Sequence, residues 1–378
     1  MSTLTIISHT EHYRSDSGEI VGLGSTVTEI NNLLEVFDKI IHVAMLHTDQ
    51  PPESSLPYCS ERIKFVALPA VGGKGILDKL GILWQAPRII GRVRKALNHS
   101  DYFQFRAPTG IGVFVLPYII MFSQKKGWFK YAGNWKQSHA PLAYQIQRWL
   151  LEHQNRMVTI NGQWPDQPKQ CLTFENPCLT DQEVVQGEQV IRSKSLDHGQ
   201  LSLCFVGRLE QEKGIGLLIS ALKQLSTTQK DRIKAVHVVG YGKSESDYKT
   251  LALTTDLNFQ FHGYLSRTDV HRIYKDSHAI VLPSASEGFP KVIAEAMNYG
   301  CLPLVSDISS LSHYIEDGKS GFLFYPITIE NILANIERLL ELGDEQYSEM
   351  IQNARDSIFK FTYTHYNARI KNEILDRV

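Results

Sequence analysis

Short apolar, β-branched runs alternate along the chain with longer segments whose apolar residues recur every three or four positions. This is the pattern of parallel strands joined by helices. In the first half, residues 4–8, 40–46 and 63–68 read as strands, and 102–105 and 157–160 as shorter ones. A loop holding Gly18, Gly22 and Gly24 follows the first strand, then a helix with Val27, Ile30, Leu33, Leu34 and Phe37 on one face. Polar residues with Pro165, Pro168 and Pro177 place a domain exit near Asn176 and Pro177, with a linker-like segment up to Gln200.

The second half is more regular. Strands are predicted at 201–206, 234–239, 259–262, 279–282 and 302–306, and helices at 215–225, 271–277 and 291–299. The fold class is therefore α/β, with two Rossmann-like domains, 1–180 and 201–355. Their strand ends face a cleft, where such folds bind ligands.

Composition narrows the classes. The 378 residues are 43% hydrophobic and 21% charged, enough for two cores, which excludes general disorder. Lys and Arg number 39 against 40 Asp and Glu, a net of −1, so a globally basic nucleic-acid binder is not expected. The balance hides a skew: residues 62–136 hold thirteen Lys or Arg against Asp78 and Asp101, a net of +11. Within it, Arg88, Arg92, Arg94 and Lys95 alternate with Ile89, Ile90, Val93 and Leu97; Trp84 lies just before, and Lys125, Lys126 and Lys130 surround Trp128 and Phe129. Such mixing suits a surface resting on anionic lipid headgroups. A core helix with a solvated basic face has the same pattern.

Five scattered cysteines with no CxxC pair suggest neither a metal site nor a disulfide framework, and point to reduced thiols in a cytoplasmic protein. The first residues lack a basic, apolar leader, and the apolar run 111–122, interrupted by Pro117, is shorter than the ~20 residues that span a bilayer. The expected location is the cytoplasm, with peripheral contact at the inner face of the membrane.

The chemistry concentrates at two turns. After the strand 279–282 comes Ser286-Glu-Gly-Phe-Pro-Lys-Val-Ile-Ala-Glu295, in which Glu287 and Glu295 flank seven residues. Strand, Gly/Pro turn and helix leave free backbone N–H groups at a helix start, a natural seat for phosphate. Two carboxylates on one side could accept hydroxyl groups from a hexose and a ribose. After the strand 201–206 comes Gly207-Arg208-Leu-Glu-Gln-Glu-Lys213-Gly214. There an Arg fork and a Lys point charge suit a diphosphate. Gly242-Lys243-Ser244 ends like a P-loop, but its leading glycine position is His237; Gly240-Tyr-Gly242 lacks the third glycine of a dinucleotide fingerprint, which is Glu245.

Gly207-Arg208 with Lys213-Gly214, and then Glu287-x7-Glu295, resembles retaining glycosyltransferase family 4, whose fold is the GT-B type. Asn176-Pro177, His262-Gly263-Tyr264-Leu265 and Asp317-Gly318-Lys-Ser-Gly321 carry the same resemblance. It implies a retaining, metal-independent transfer from a nucleotide-diphosphate sugar to a glycan or lipid-linked acceptor, with no further cofactor, in surface polysaccharide assembly. It assigns Arg208 and Lys213 to the diphosphate, and Glu287 with the turn of Gly288, Phe289, Pro290 and Lys291 and its amides to the sugar and phosphates. Glu295 falls to the ribose, Tyr264 and Leu265 to the base, and the Gly22 to Gly24 loop closes over the diphosphate. Residues 356–378 take the place of the family's final helix, crossing back to the first domain. The family's first-domain histidines are missing; Arg106 and Asn134 stand at those places as candidate acceptor contacts, with His9 and His12 as alternatives. A non-catalytic GT-B partner subunit and a nucleotide-sugar epimerase remain as alternatives.

Overall fold

The computed structural model describes residues 1–72, 81–137, 140–196 and 200–377. Two compact units form, Met1–Asn176 together with Tyr363–Val378, and Pro177–Thr362.

The first unit is built on β1 (Thr3–Arg14), β2 (Ile20–Leu23), β3 (Lys39–Leu46), β4 (Ser55–Pro57), β5 (Ile63–Pro69), β6 (Tyr102–Ala107), β7 (Lys126–Tyr131), β8 (Val158–Ile160) and β9 (Cys171–Thr173). A parallel sheet runs β5-β3-β1-β6-β7-β8-β9. A register shift between Ile7 and Glu11 carries β1 beyond its apolar stretch, and His12, Tyr13 and Arg14 then pair antiparallel with β2. This corrects the expected loop: Gly22 lies within β2 and Gly24 opens the next helix. Polar residues of an outer strand extension carry no hydrophobic alternation, so the sequence pattern hides it.

Helix α1 (Gly24–Asn32) and the C-terminal segment cover one face of this sheet, where Leu4, Ile6, Ile30, Leu33 and Trp128 meet Tyr366, Ile370 and Ile374. Helices α2 (Ala86–Asn98), α3 (Gly112–Phe122) and α4 (Leu142–Glu152) cover the other through Ile89, Val93, Val115, Ile119 and Leu151, packed on Ile7, Phe103 and Phe105. The alternation of β1 divides the two cores. The returning segment begins at Tyr363 and is helical through Arg377, with a 3₁₀ turn, Ile358–Phe361, before it.

The second unit holds β10 (Leu201–Val206), β11 (Ile233–Val239), β12 (Phe259–Gly263), β13 (Ala279–Leu282), β14 (Leu302–Ser306) and β15 (Phe322–Phe324), all parallel in the order β12-β11-β10-β13-β14-β15. Besides the one-turn helix Thr227–Lys230, its helices are α5 (Asp181–Ser193), α6 (Ile215–Lys223), α7 (Glu245–Ala252), α8 (Arg267–Asp276), α9 (Lys291–Asn298), α10 (Ile329–Leu340) and α11 (Asp344–Arg355). The segment expected as a polar linker is largely α5, started by a reciprocal capping box of Thr180 and Glu183. Its Gly187 lies against α9, where a Cβ would stand 2.1 Å from the Asn298 carbonyl oxygen. Where the chain enters and leaves this unit, the Cys178 N–H donates to the Phe361 carbonyl at 2.8 Å and Leu179 bridges Thr362. No helix among the described residues is long and apolar enough to cross a membrane.

Candidate functional site

In the second unit, the loops after the adjacent strands β10 and β13 are bonded to one another. The Ala285 N–H donates to the Glu212 carbonyl at 2.8 Å, and the Ser284 hydroxyl reaches the same oxygen at 3.3 Å. After β10 the chain makes a 3₁₀ turn, Gln211–Lys213, and then Gly214 at φ +76, where a Cβ would lie 2.1 Å from the Pro283 carbonyl oxygen. Only glycine fits both the left-handed backbone and this approach. The turn thus delivers Lys213 to the β13 loop. There its ammonium pairs with Glu287 Oε1, which also accepts the Ser284 hydroxyl at 2.8 Å. Both charged side chains are largely buried. Arg208 pairs with Glu210 at 3.0 Å, and with 67% of its side chain exposed it is free of the packing that would fix one rotamer. Gly207 is held by its N–H to the Val239 carbonyl at 3.0 Å.

Helix α9 begins after Pro290 with no side-chain cap on its first amides. The preceding turn is pinned from below: Phe289 is buried, its ring 4.7 Å from that of Phe361 and 5.0 Å from that of Tyr314, while the Ser310 hydroxyl donates to the Gly288 carbonyl at 3.2 Å. The ring of Phe289 is therefore a core group, leaving its backbone as the part available to a ligand. The N–H groups of Gly288, Phe289 and Lys291 lie at this helix start beside the Lys213–Glu287 pair, while Pro290 fixes the turn without an N–H of its own.

Glu295, in the second turn of α9, is buried and accepts from Arg267 Nη1 at 2.8 Å. Arg267 also bonds Glu183 at 2.9 Å and the Cys178 carbonyl. Burial alone would raise the Glu183 carboxyl, but the Arg267 hydrogen bonds and charge bring it below its ordinary value. The sequence reading missed Arg267. Its only local mark is the helix cap Ser266, which locates the start of α8 but not the partners of the next residue. Tyr264 and Leu265 follow β12 directly, and Leu265 packs against the core of the unit.

Residues 187–357 match the family model described as Glycosyl transferases group 1. The match spans 171 of the 378 residues, just under half of the chain. An uncharacterized glycosyltransferase of Methanocaldococcus jannaschii is 27% identical over 172 residues, 45% of this chain and 43% of that protein. The lipopolysaccharide 1,2-N-acetylglucosaminetransferase of Salmonella typhimurium is 29% identical over 184 residues, 46% of this chain and 47% of that protein. The chain thus spans under half the length of these curated relatives. Among solved structures, HepE of Anabaena in complex with UDP and glucose has a TM-score of 0.70 at 15% identity over 100% of both chains. The fold is of the GT-B type, with a C-terminal helix returning to the first unit.

The strand ends carrying Arg208, Lys213 and Glu287 all lie within the matched residues, as do Glu295 and Arg267. The first-unit candidates lie outside it and are placed differently. Arg106 is nearly buried, its guanidinium committed to Glu29 at 2.9 Å and Gln104 at 2.9 Å. Lys130 joins it on Glu29 at 2.6 Å and lies 4.9 Å from the Tyr366 ring centroid. Arg106 and Lys130 thereby anchor α1 and the returning segment to the strands. Asn134 is half-buried and accepts from the Lys136 N–H at 3.0 Å.

Gly22 and Gly24 are demanded by packing: a Cβ would stand 2.4 Å from the His12 ring in one case and 2.7 Å from the Ser54 carbonyl oxygen in the other. His12 is fully buried, which withdraws it as an exposed contact. It closes a chain from Ser8 through His42 and Tyr58, with links of 2.8, 2.5 and 2.9 Å. His9 bonds the Val71 carbonyl at 2.8 Å.

Proposed function

We propose that the protein is a retaining, metal-independent glycosyltransferase that moves a sugar from a nucleotide-diphosphate donor to a glycan or lipid-linked acceptor, in surface polysaccharide assembly at the inner face of the membrane. The observation that carries the reading is the Lys213–Glu287 pair at two adjacent strand ends, beside exposed Arg208 and the uncapped start of α9. Preorganised cations and helix-start amides are what a departing diphosphate needs, because negative charge develops on it as the anomeric C–O bond breaks. The names of the Salmonella relative and of the UDP-bound HepE structure support the same substrate class.

Arg208 and Lys213 hold the diphosphate in this reading. Glu287 takes the sugar hydroxyls, and the N–H groups of Gly288, Phe289 and Lys291, in the turn shaped by Pro290, take phosphate and sugar oxygens. Glu295, fixed by Arg267, accepts the ribose, with Tyr264 and Leu265 beside the base. The segment from Gly22 to Gly24 covers the diphosphate, and Asn134 meets the acceptor. Arg106 serves from inside the first unit, as a positioning residue.

The acceptor oxygen bonds to the anomeric carbon on the face the diphosphate leaves, and its proton passes to a diphosphate oxygen. Configuration is therefore kept without a protein nucleophile. A thermal-shift panel of UDP-, GDP- and ADP-sugars tests donor binding, since a ligand bound only by the native state raises the melting temperature. Nuclear magnetic resonance of the first-formed product tests retention. A panel in which no nucleotide sugar shifts the melt would sink the reading.

A further inference from the structure

Helix α4 carries an apolar stripe on its outward side. Leu142, Ile146 and Trp149, one helical turn apart, are exposed, and His153 stacks on Trp149 with ring centroids 4.7 Å apart. On the other side Leu151 and Gln147 are buried, and the Gln147 side chain accepts from the Thr109 N–H at 3.0 Å and donates to its carbonyl at 2.9 Å. A water-facing helix ordinarily keeps its outward side polar. Helix α3 contains no charged residue and ends in exposed Met121 and Phe122, the latter 73% accessible. The two helices touch closely: at Gly112 a Cβ would lie 1.9 Å from Gln147 Oε1. Ahead of α2, Leu83 and Trp84 are exposed, Trp84 at 86%.

Helices α2, α3 and α4 share one core on one face of the sheet, so their outer sides form the outside of a single layer. On α2 that side shows Arg88, Arg94 and Lys95, and Lys126 is exposed after α3. Between residues 81 and 126 the only acidic residue is Asp101, whose carboxylate accepts the Thr3 N–H at 2.8 Å. Lys74, Asp78 and Lys79 of the basic stretch lie outside the described residues.

We infer that the outer surface of α2, α3 and α4 docks on an anionic lipid bilayer. Trp84, Phe122, Leu142 and Trp149 enter the headgroup region, and the α2 cations meet lipid phosphates. Exposed apolar side chains in such number mark an interaction surface. Tryptophan belongs at the water–lipid boundary, and flanking cations select anionic headgroups. The sequence pattern alone bounds the basic stretch at residue 136; the apolar stripe of α4 extends the surface past it. A second copy of the chain fits less well, because a two-fold contact would set the Arg88 and Arg94 clusters against each other.

The test uses the whole chain with phosphatidylcholine vesicles and with phosphatidylcholine–phosphatidylglycerol vesicles, and reads no sugar transfer, so it stands apart from the enzymatic reading. Flotation is expected with the anionic vesicles, together with a blue shift of tryptophan emission that W84F/W149F removes. R88E/R94E should lower partitioning by roughly tenfold or more. W84S/F122S/W149S should lower it at least as much while leaving the circular-dichroism melt in place, and W84S alone, at a side chain 86% exposed, guards against misfolding. Absence of flotation on anionic vesicles overturns the inference. So does flotation unchanged in the triple variant, or a concentration-dependent dimer in sedimentation that the triple variant abolishes.

Discussion

Lys213 and Glu287 form a largely buried ion pair between the loops that follow two adjacent parallel strands, and Ser284 donates to the same carboxylate oxygen. The pair presets the cation where a diphosphate would depart, so a ligand exchanges one partner for another and need not order a mobile lysine. Replacing Lys213 by Ala should lower turnover by about 10²–10³-fold, the usual scale for removing one preorganised group from developing charge. Lys213→Arg should restore part of it. Steady-state kinetics of both variants beside their melting curves checks this; a K213A enzyme with wild-type turnover removes Lys213 from the chemistry.

Gly214→Ala should act on the same pair through the backbone. The left-handed φ of +76 and the 2.1 Å approach to the Pro283 carbonyl oxygen leave no room for a methyl group. The cost should be about 1–3 kcal/mol from strain and displaced backbone, with donor binding weakened as Lys213 moves off Glu287. Chemical denaturation and the nucleotide-sugar thermal shift measure the two effects separately.

Arg267 joins Glu183, Glu295 and the Cys178 carbonyl. The folded Glu183 carboxyl lies below its ordinary value of 4.5. A depressed carboxylate contributes stability that is present above that value and is lost as pH falls through the folded one. Arg267→Gln should cost about 1–3 kcal/mol near pH 7, because it leaves two facing carboxylates and a carbonyl without their donor. The difference from wild type should shrink as the pH is lowered past 4.5. Denaturation midpoints of both proteins across pH 3–7 decide it; a pH-independent gap contradicts the assignment.

What the sequence makes legible follows from range. The β10 and β13 loops read correctly because strand, glycine turn and helix are local signals, and Gly214, Glu287 and Pro290 carry them within a dozen residues of their strands. Helix α5 was hidden by its polar face, although Thr180 and Glu183 spell out its cap. Arg106 looked like a ligand contact because its partner Glu29 is 77 residues away, and nothing local predicts a buried long-range ion pair. The outward apolar stripe of α4 gives the same periodicity as an inward one, so only the structure tells which side faces the core.

The buried chain in the first unit fixes its own proton positions. The Thr10 carbonyl only accepts, so His12 donates from Nδ1 at 3.0 Å. Burial lowers the pKa of His12 to about 4 and pushes His42 down as well, so both rings are neutral. His12 Nε2 must then accept the Tyr58 hydroxyl, Tyr58 must accept from His42 Nδ1, and the Ser8 hydroxyl must donate to His42 Nε2. Both histidines should therefore show the Nδ1-protonated tautomer in ¹⁵N spectra. For a base held below its unfolded value, the unfolded chain binds protons first. His12 should thus cost stability as pH falls from 6.5 toward 4, by about 3 kcal/mol in full. Tyr58→Phe strands the His42 N–H and should cost about 1–3 kcal/mol at neutral pH. Unfolding of the first unit followed from pH 7.5 to 4 measures the slope; a flat profile, or an Nε2-protonated His12, contradicts the chain of donors.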